Sequence, residues 1–130
     1  MRSTTPPRPT VGRAELVEPT PRFLLRVLAT HFALRETGTS GLRVHLLVEH
    51  APAGREELRG STLTIFTPLE GPGAGEPIRG LVSRVFTHCE THALMFDRRE
   101  LLGVRLSAEV EFEQVGRVLE PRLRDVRRVL

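Results

Sequence analysis

The chain has 130 residues, 39% hydrophobic and 27% charged, which is enough for one domain with a modest core. Its formal net charge is only +3, all 19 basic residues are arginine, and the one cysteine, Cys89, excludes a disulfide framework or a cysteine-based zinc site. No apolar run approaches the ~18 residues of a membrane span, so a cytoplasmic chain is expected.

Residues 1–13 are rich in Pro, Thr and Arg, with Pro6, Pro7 and Pro9 opposing regular structure. They read as a flexible N-terminal arm without the apolar stretch of a secretory signal. Residues 14–130 read as a single β-rich domain. Within it, Ala14–Glu18 suits a short strand. The segment Arg22–Leu34 (RFLLRVLATHFAL) fits two conformations. As a helix it has Thr20 at the N-cap and Pro21 at N1. As a strand it turns Phe23, Leu25, Val27 and Ala29 inward and Arg22 and Arg26 outward.

Beyond the turn residues Thr37–Gly41, Leu42, Val44, Leu46 and Val48 recur with period two. Arg55–Arg59 suits one helical turn. Ser61–Thr67 is rich in β-formers and places Leu63 and Ile65 on one face. Glu70–Pro77 holds three Gly and two Pro, and reads as a loop. Ile78–Phe86 and Thr91–Phe96 are expected as strands, with Gly80 at a bulge. Val104, Leu106, Ala108, Val110 and Phe112 alternate with Arg105, Ser107, Glu109 and Glu111, as in an antiparallel strand with one buried face. Pro121 followed by Leu123, Val126 and Val129 predicts a short C-terminal helix. The expected fold is mainly β: a small antiparallel barrel or sandwich with that helix, and either helix or strand at 22–34.

Candidate chemistry is sparse. His88, Cys89 and His92 lie close in sequence, but a strand–turn–strand context separates them, so no metal and no cofactor are expected. Glu109, Glu111 and Glu113 share one strand face and read as a solvated face paired with cross-strand Arg. Gly71–Gly75 has no Lys-Ser/Thr after it, so it is not a phosphate loop. Nothing points to an enzyme. The small net charge and the absence of an aromatic stacking platform make nucleic acid an improbable partner.

Two family resemblances follow from the order of elements. The text LRVLATHFALRE, TSGLRVHLLVEH, EELRGSTLTIF and EPIRGLVSRV, from Leu25 to Val85, resembles the N-terminal β-domain of the spike hub of contractile injection machines, the VgrG family of type VI secretion and its phage tail-hub relatives. Glu36, Ser40, Leu58, Gly60, Gly80, Val82 and Val85 fill the matching places. The resemblance implies a noncatalytic structural module that self-associates or binds protein partners. The second resemblance is to the PilZ domain. Arg22 and Arg26 supply its RxxxR, while Glu36, Gly38 and Gly41 stand at the Asp, Ser and Gly positions of its second motif. This implies a regulatory adaptor with a degenerate cyclic di-GMP site. Arg22, Arg26, Glu36, Gly38 and Gly41 are therefore the candidate ligand- or partner-binding residues. Taken without either family, Arg22 and Arg26 read as solvated arginines that contribute little to stability.

Overall fold

The computed structural model describes residues 21–35, 38–87 and 94–130. The arm at 1–13, the strand expected at Ala14–Glu18, Glu36 and the His88–Cys89–His92 group lie outside these residues. Among the described residues seven strands follow in chain order: β1 (Phe23–Leu34), β2 (Ser40–His50), β3 (Thr62–Pro68), β4 (Phe86–Thr87), β5 (Leu94–Met95), β6 (Arg105–Val115) and β7 (Val118–Val129). Five form an antiparallel sheet of order β3-β2-β1-β6-β7, and β4 pairs with β5 in a separate ribbon.

The ambiguous segment 22–34 is a strand. Phe23, Leu25 and Val27 enter the core as period two requires. A bulge then intervenes: Val27 pairs with Leu46 but Ala29 with His45, so Leu28 is an extra residue. The inward position passes from the expected Ala29 to Thr30, which is buried. In β2, Leu42, Val44, Leu46 and Val48 are all buried, as the alternation predicts. Leu63 and Ile65 of β3 and Leu106 and Ala108 of β6 complete that face. Each fully buried leucine contributes roughly 2 kcal/mol of apolar burial.

The cover over this face is mostly irregular chain. Ile78–Phe86 is not the expected strand: turns lead into a 3-10 helix at Arg79–Leu81, and only Phe86 of that segment joins a ladder. Ile78 and Leu81, three residues apart, both point into the core, which is the spacing of one helical turn. Gly80 lies inside that turn and marks no bulge. Of the strand expected at Thr91–Phe96, residues 91–93 lie outside the described residues, Leu94 and Met95 form β5, and Phe96 is not in a strand. A second 3-10 helix, Arg98–Leu101, is capped by the Asp97 carboxylate, which accepts from the Arg99 N–H, and it buries Leu101. The helical turn expected at Arg55–Arg59 is present as a 3-10 helix at Glu56–Leu58.

The predicted C-terminal helix is instead β7, an edge strand along β6. Pro121 opposes Phe112 there, and an edge strand tolerates proline because its missing N–H can face outward. Leu123 and Val126 both pack on the core although they are three residues apart. The cause is a bulge: Ser107 pairs with Arg127 but Glu109 with Arg124, and Asp125 adopts φ +50°. The sheet is not closed into a barrel. Its edge strands β3 and β7 touch, yet no ladder joins them.

Candidate functional site

The two arginines singled out from sequence belong to separate networks. Arg22 donates through Nε to the Ser107 hydroxyl (2.6 Å) and through Nη2 to the Ser107 and Asp125 carbonyls (2.9 and 2.6 Å). Its Nη1 reaches the Asp125 carboxylate at 2.9 Å. The side chain thus fastens the start of β1 to the bulge in β7. Arg26 instead meets Glu49 at 3.0 Å, and Arg105 holds the other oxygen of Glu49 at 2.8 Å. Four residues apart on a strand is ~13 Å, so β1 does not bring the two guanidiniums onto one ligand.

Gly38 has φ +87° in the β1–β2 turn, a conformation that suits glycine, and nothing crowds its missing side chain. Gly41 has a packing reason. A Cβ there would lie 2.3 Å from Cζ of Phe66 and 2.6 Å from the Thr67 carbonyl oxygen. The Phe66 ring therefore lies over Gly41, and the Arg35 guanidinium sits 4.2 Å above the ring centroid. Arg35 also reaches Glu120 of β7 at 3.3 Å, so it bridges the two edges of the open sheet.

The glutamates of β6 are paired as expected: Glu109 with Arg22, Glu111 with Arg124 and Glu113 with Arg122. Hydrogen bonding to Arg127, helped by its charge and by Arg22, lowers the Asp125 carboxyl below its usual value of 3.8. Asp97 is lowered in the same way by Arg99. Among the described residues no group of three or more His, Cys, Asp or Glu could hold a metal ion. His45 and Thr64 share a hydrogen bond of 2.8 Å, and His31 meets His45 edge-on at 5.1 Å.

Two clefts remain. One, about 480 Å³, lies between β3 and β7, and its Arg35 and Glu120 are already joined to each other. The other, about 310 Å³, lies at the far end of β1 among Phe32, Leu69, Leu94, Met95, Phe96 and Arg98. Beside it runs a main-chain edge that is unpaired among the described residues. β6 accompanies β1 only over Phe23–Arg26, and the last contacts are the exchange of Val27 with Gly103 and Val104. The Arg35 N–H donates to the Thr39 carbonyl. In an antiparallel ladder the bonded pairs alternate, so Ala33, His31 and Ala29 bond to β2, while Thr30, Phe32 and Leu34 turn their N–H and C=O groups away from it. Arg98 confirms this orientation by donating to the Thr30 carbonyl at 2.9 Å. Among the described residues nothing pairs with the outward main chain of Phe32 or Leu34, and their side chains are 67% and 69% exposed.

Sequence reasoning did not single out this edge or Arg98. The only signal available was negative: the segment after Val27 keeps apolar residues, Leu28, Phe32 and Leu34, at positions a regular strand would not bury. No family model, curated protein or solved structure matches the chain.

Proposed function

We propose that the chain is a noncatalytic structural and protein-interaction module, a hub-like component of a contractile-injection or phage-tail-like assembly. The observation that carries this is the open end of β1, where main-chain groups of Phe32 and Leu34 have no partner among the described residues and two large apolar side chains stand beside them. An unpaired edge of this kind accepts a strand from another chain. The stretch that resembles the hub domain, Leu25–Val85, supplies the β1-β2-β3 meander that presents this edge. In this role the arginine–carboxylate networks hold the sheet, and the exposed edge makes the contact.

Light scattering after size exclusion, at two protein concentrations, tests the proposal. A concentration-independent trimer agrees with a hub, whose spike is threefold. A monomer at both concentrations that titrates cyclic di-GMP overturns it and favours the PilZ-like adaptor. That alternative requires Arg22 and Arg26 to exchange Asp125 and Glu49 for the nucleotide phosphates.

A further inference from the structure

The interaction-module proposal leaves the chemistry of the partner open, and the surroundings of the β1 edge narrow it. Three features converge within a few residues. The first is the outward ladder of Thr30, Phe32 and Leu34, spaced every second residue as a pairing strand needs. The second is the groove of about 310 Å³ on the same side, walled by Phe32, Leu69, Leu94, Met95 and Phe96. Phe32 opposes the buried Leu42 and so lies on the core side of the sheet, yet it extends past the core and remains exposed. The third is Arg98. Its guanidinium lies 4.9 Å from the Phe32 ring centroid, donates one N–H to the Thr30 carbonyl, and meets no carboxylate among the described residues.

The charged residues on this half of β1 and β2 have the same sign. Arg43, on the strand paired with this half of β1, is exposed and forms no ion pair among the described residues, while Arg35, which follows β1 directly, is held by Glu120. Between Leu28 and Arg35, and between Ser40 and Val48, the described residues include no acid. A strand entering here therefore meets donors and apolar walls on β1 and β2, and the nearby Asp97 carboxylate is already engaged by Arg99.

We propose that the open end of β1, Thr30–Leu34, binds an extended, acidic segment of a protein partner by strand addition, with apolar side chains in the groove and a carboxylate on Arg98. The assignment rests on the interaction-module function. Alternation in the partner follows from the pleat: side chains at every second position face the groove, and those between face His31 and Arg43. Arg98 selects a carboxylate because an exposed guanidinium beside an aromatic ring offers several donors in one plane. Main-chain bonds to Phe32 and Leu34 set the register.

The test uses the full chain and two synthetic peptides, one alternating Val with Glu and one alternating Val with Lys. Amide hydrogen exchange of Phe32 and Leu34 is measured by NMR with each. The Glu peptide is expected to slow exchange at both amides by about tenfold or more, while the Lys peptide does not. Arg98→Glu is expected to remove that protection. Phe32→Pro deletes an N–H that makes no bond among the described residues and is expected to abolish binding with the far-UV spectrum unchanged; the wild-type exchange data stand whether or not that variant folds. Unchanged exchange at both amides, or equal protection by both peptides, overturns the proposal. If this happens while the chain is a stable trimer, the strand-addition site fails and the hub-like function stands.

Discussion

Arg22 and Asp125 are 103 residues apart in sequence, and four hydrogen bonds from the one guanidinium join Asp125 in the β7 bulge and Ser107 of β6 to the start of β1. Asp125 is also the only described non-glycine residue with positive φ, +50°. A left-handed residue in a strand is costly unless its surroundings hold it, and Arg22 accepts that role by binding both its carboxylate and its carbonyl.

Arg22 and Arg26 are therefore unequal. Arg22→Ala is expected to cost about 1–2 kcal/mol, because hydrogen bonds to charged groups are lost and two carbonyls are left without this donor. Arg26→Ala is expected to change stability by less than about 0.5 kcal/mol, since its ion pair is exposed and Arg105 remains on Glu49. Urea unfolding of the two single variants measures the difference. Equal midpoints would mean the Arg22 clamp is energetically idle.

Gly41 and Phe66 make a second contrast with the ligand-site expectation. Gly41→Ala is expected to destabilise by about 1–3 kcal/mol, because the Thr67 carbonyl at 2.6 Å is backbone and cannot move aside cheaply. Phe66→Ala removes part of the obstruction, so the double variant is expected to lose less than the sum of the two single losses. Additive losses, read from thermal unfolding, would show that the ring and the glycine are independent.

Thr67 is fully buried and its hydroxyl has no hydrogen-bond partner among the described residues. Thr67→Val keeps the shape and removes an unpaired polar group, and is expected to raise stability by about 1 kcal/mol. A lower unfolding midpoint would mean the hydroxyl is satisfied.

Asp97 and Asp125 have folded pKa values below the usual 3.8. A depressed carboxyl contributes stability that is present above the unfolded value and lost as pH falls through the folded one. Stability is therefore expected to be insensitive to these groups above about pH 5 and to fall below about pH 4. The double variant Asp97→Asn, Asp125→Asn is expected to show a shallower acid decline. Because both carboxylates face solvent, 1 M salt is expected to flatten the wild-type decline too. Acid titration followed by circular dichroism checks both.

The sequence by itself determined the regular strands. In β2, β3 and β6 the apolar residues alternate without interruption, and one solvated face leaves period two visible in Leu42–Val48 and Val104–Phe112. The pairing of Glu109, Glu111 and Glu113 with arginine was legible for the same reason. What tertiary structure decided lies wherever a bulge or a cover changes the count. One residue inserted at Asp125 gives a strand the three-residue spacing of a helix, so Leu123 and Val126 misled the period. Leu28 shifted the inward position from Ala29 to Thr30. Ile78 and Leu81 are apolar because they cover the sheet, not because they extend it, and composition does not distinguish the two. Arg98 reaches Thr30 across 68 residues, and the β1 edge is open among the described residues because β6 departs after Arg26. Both depend on where two distant segments part, a property of the packed chain rather than of any local pattern.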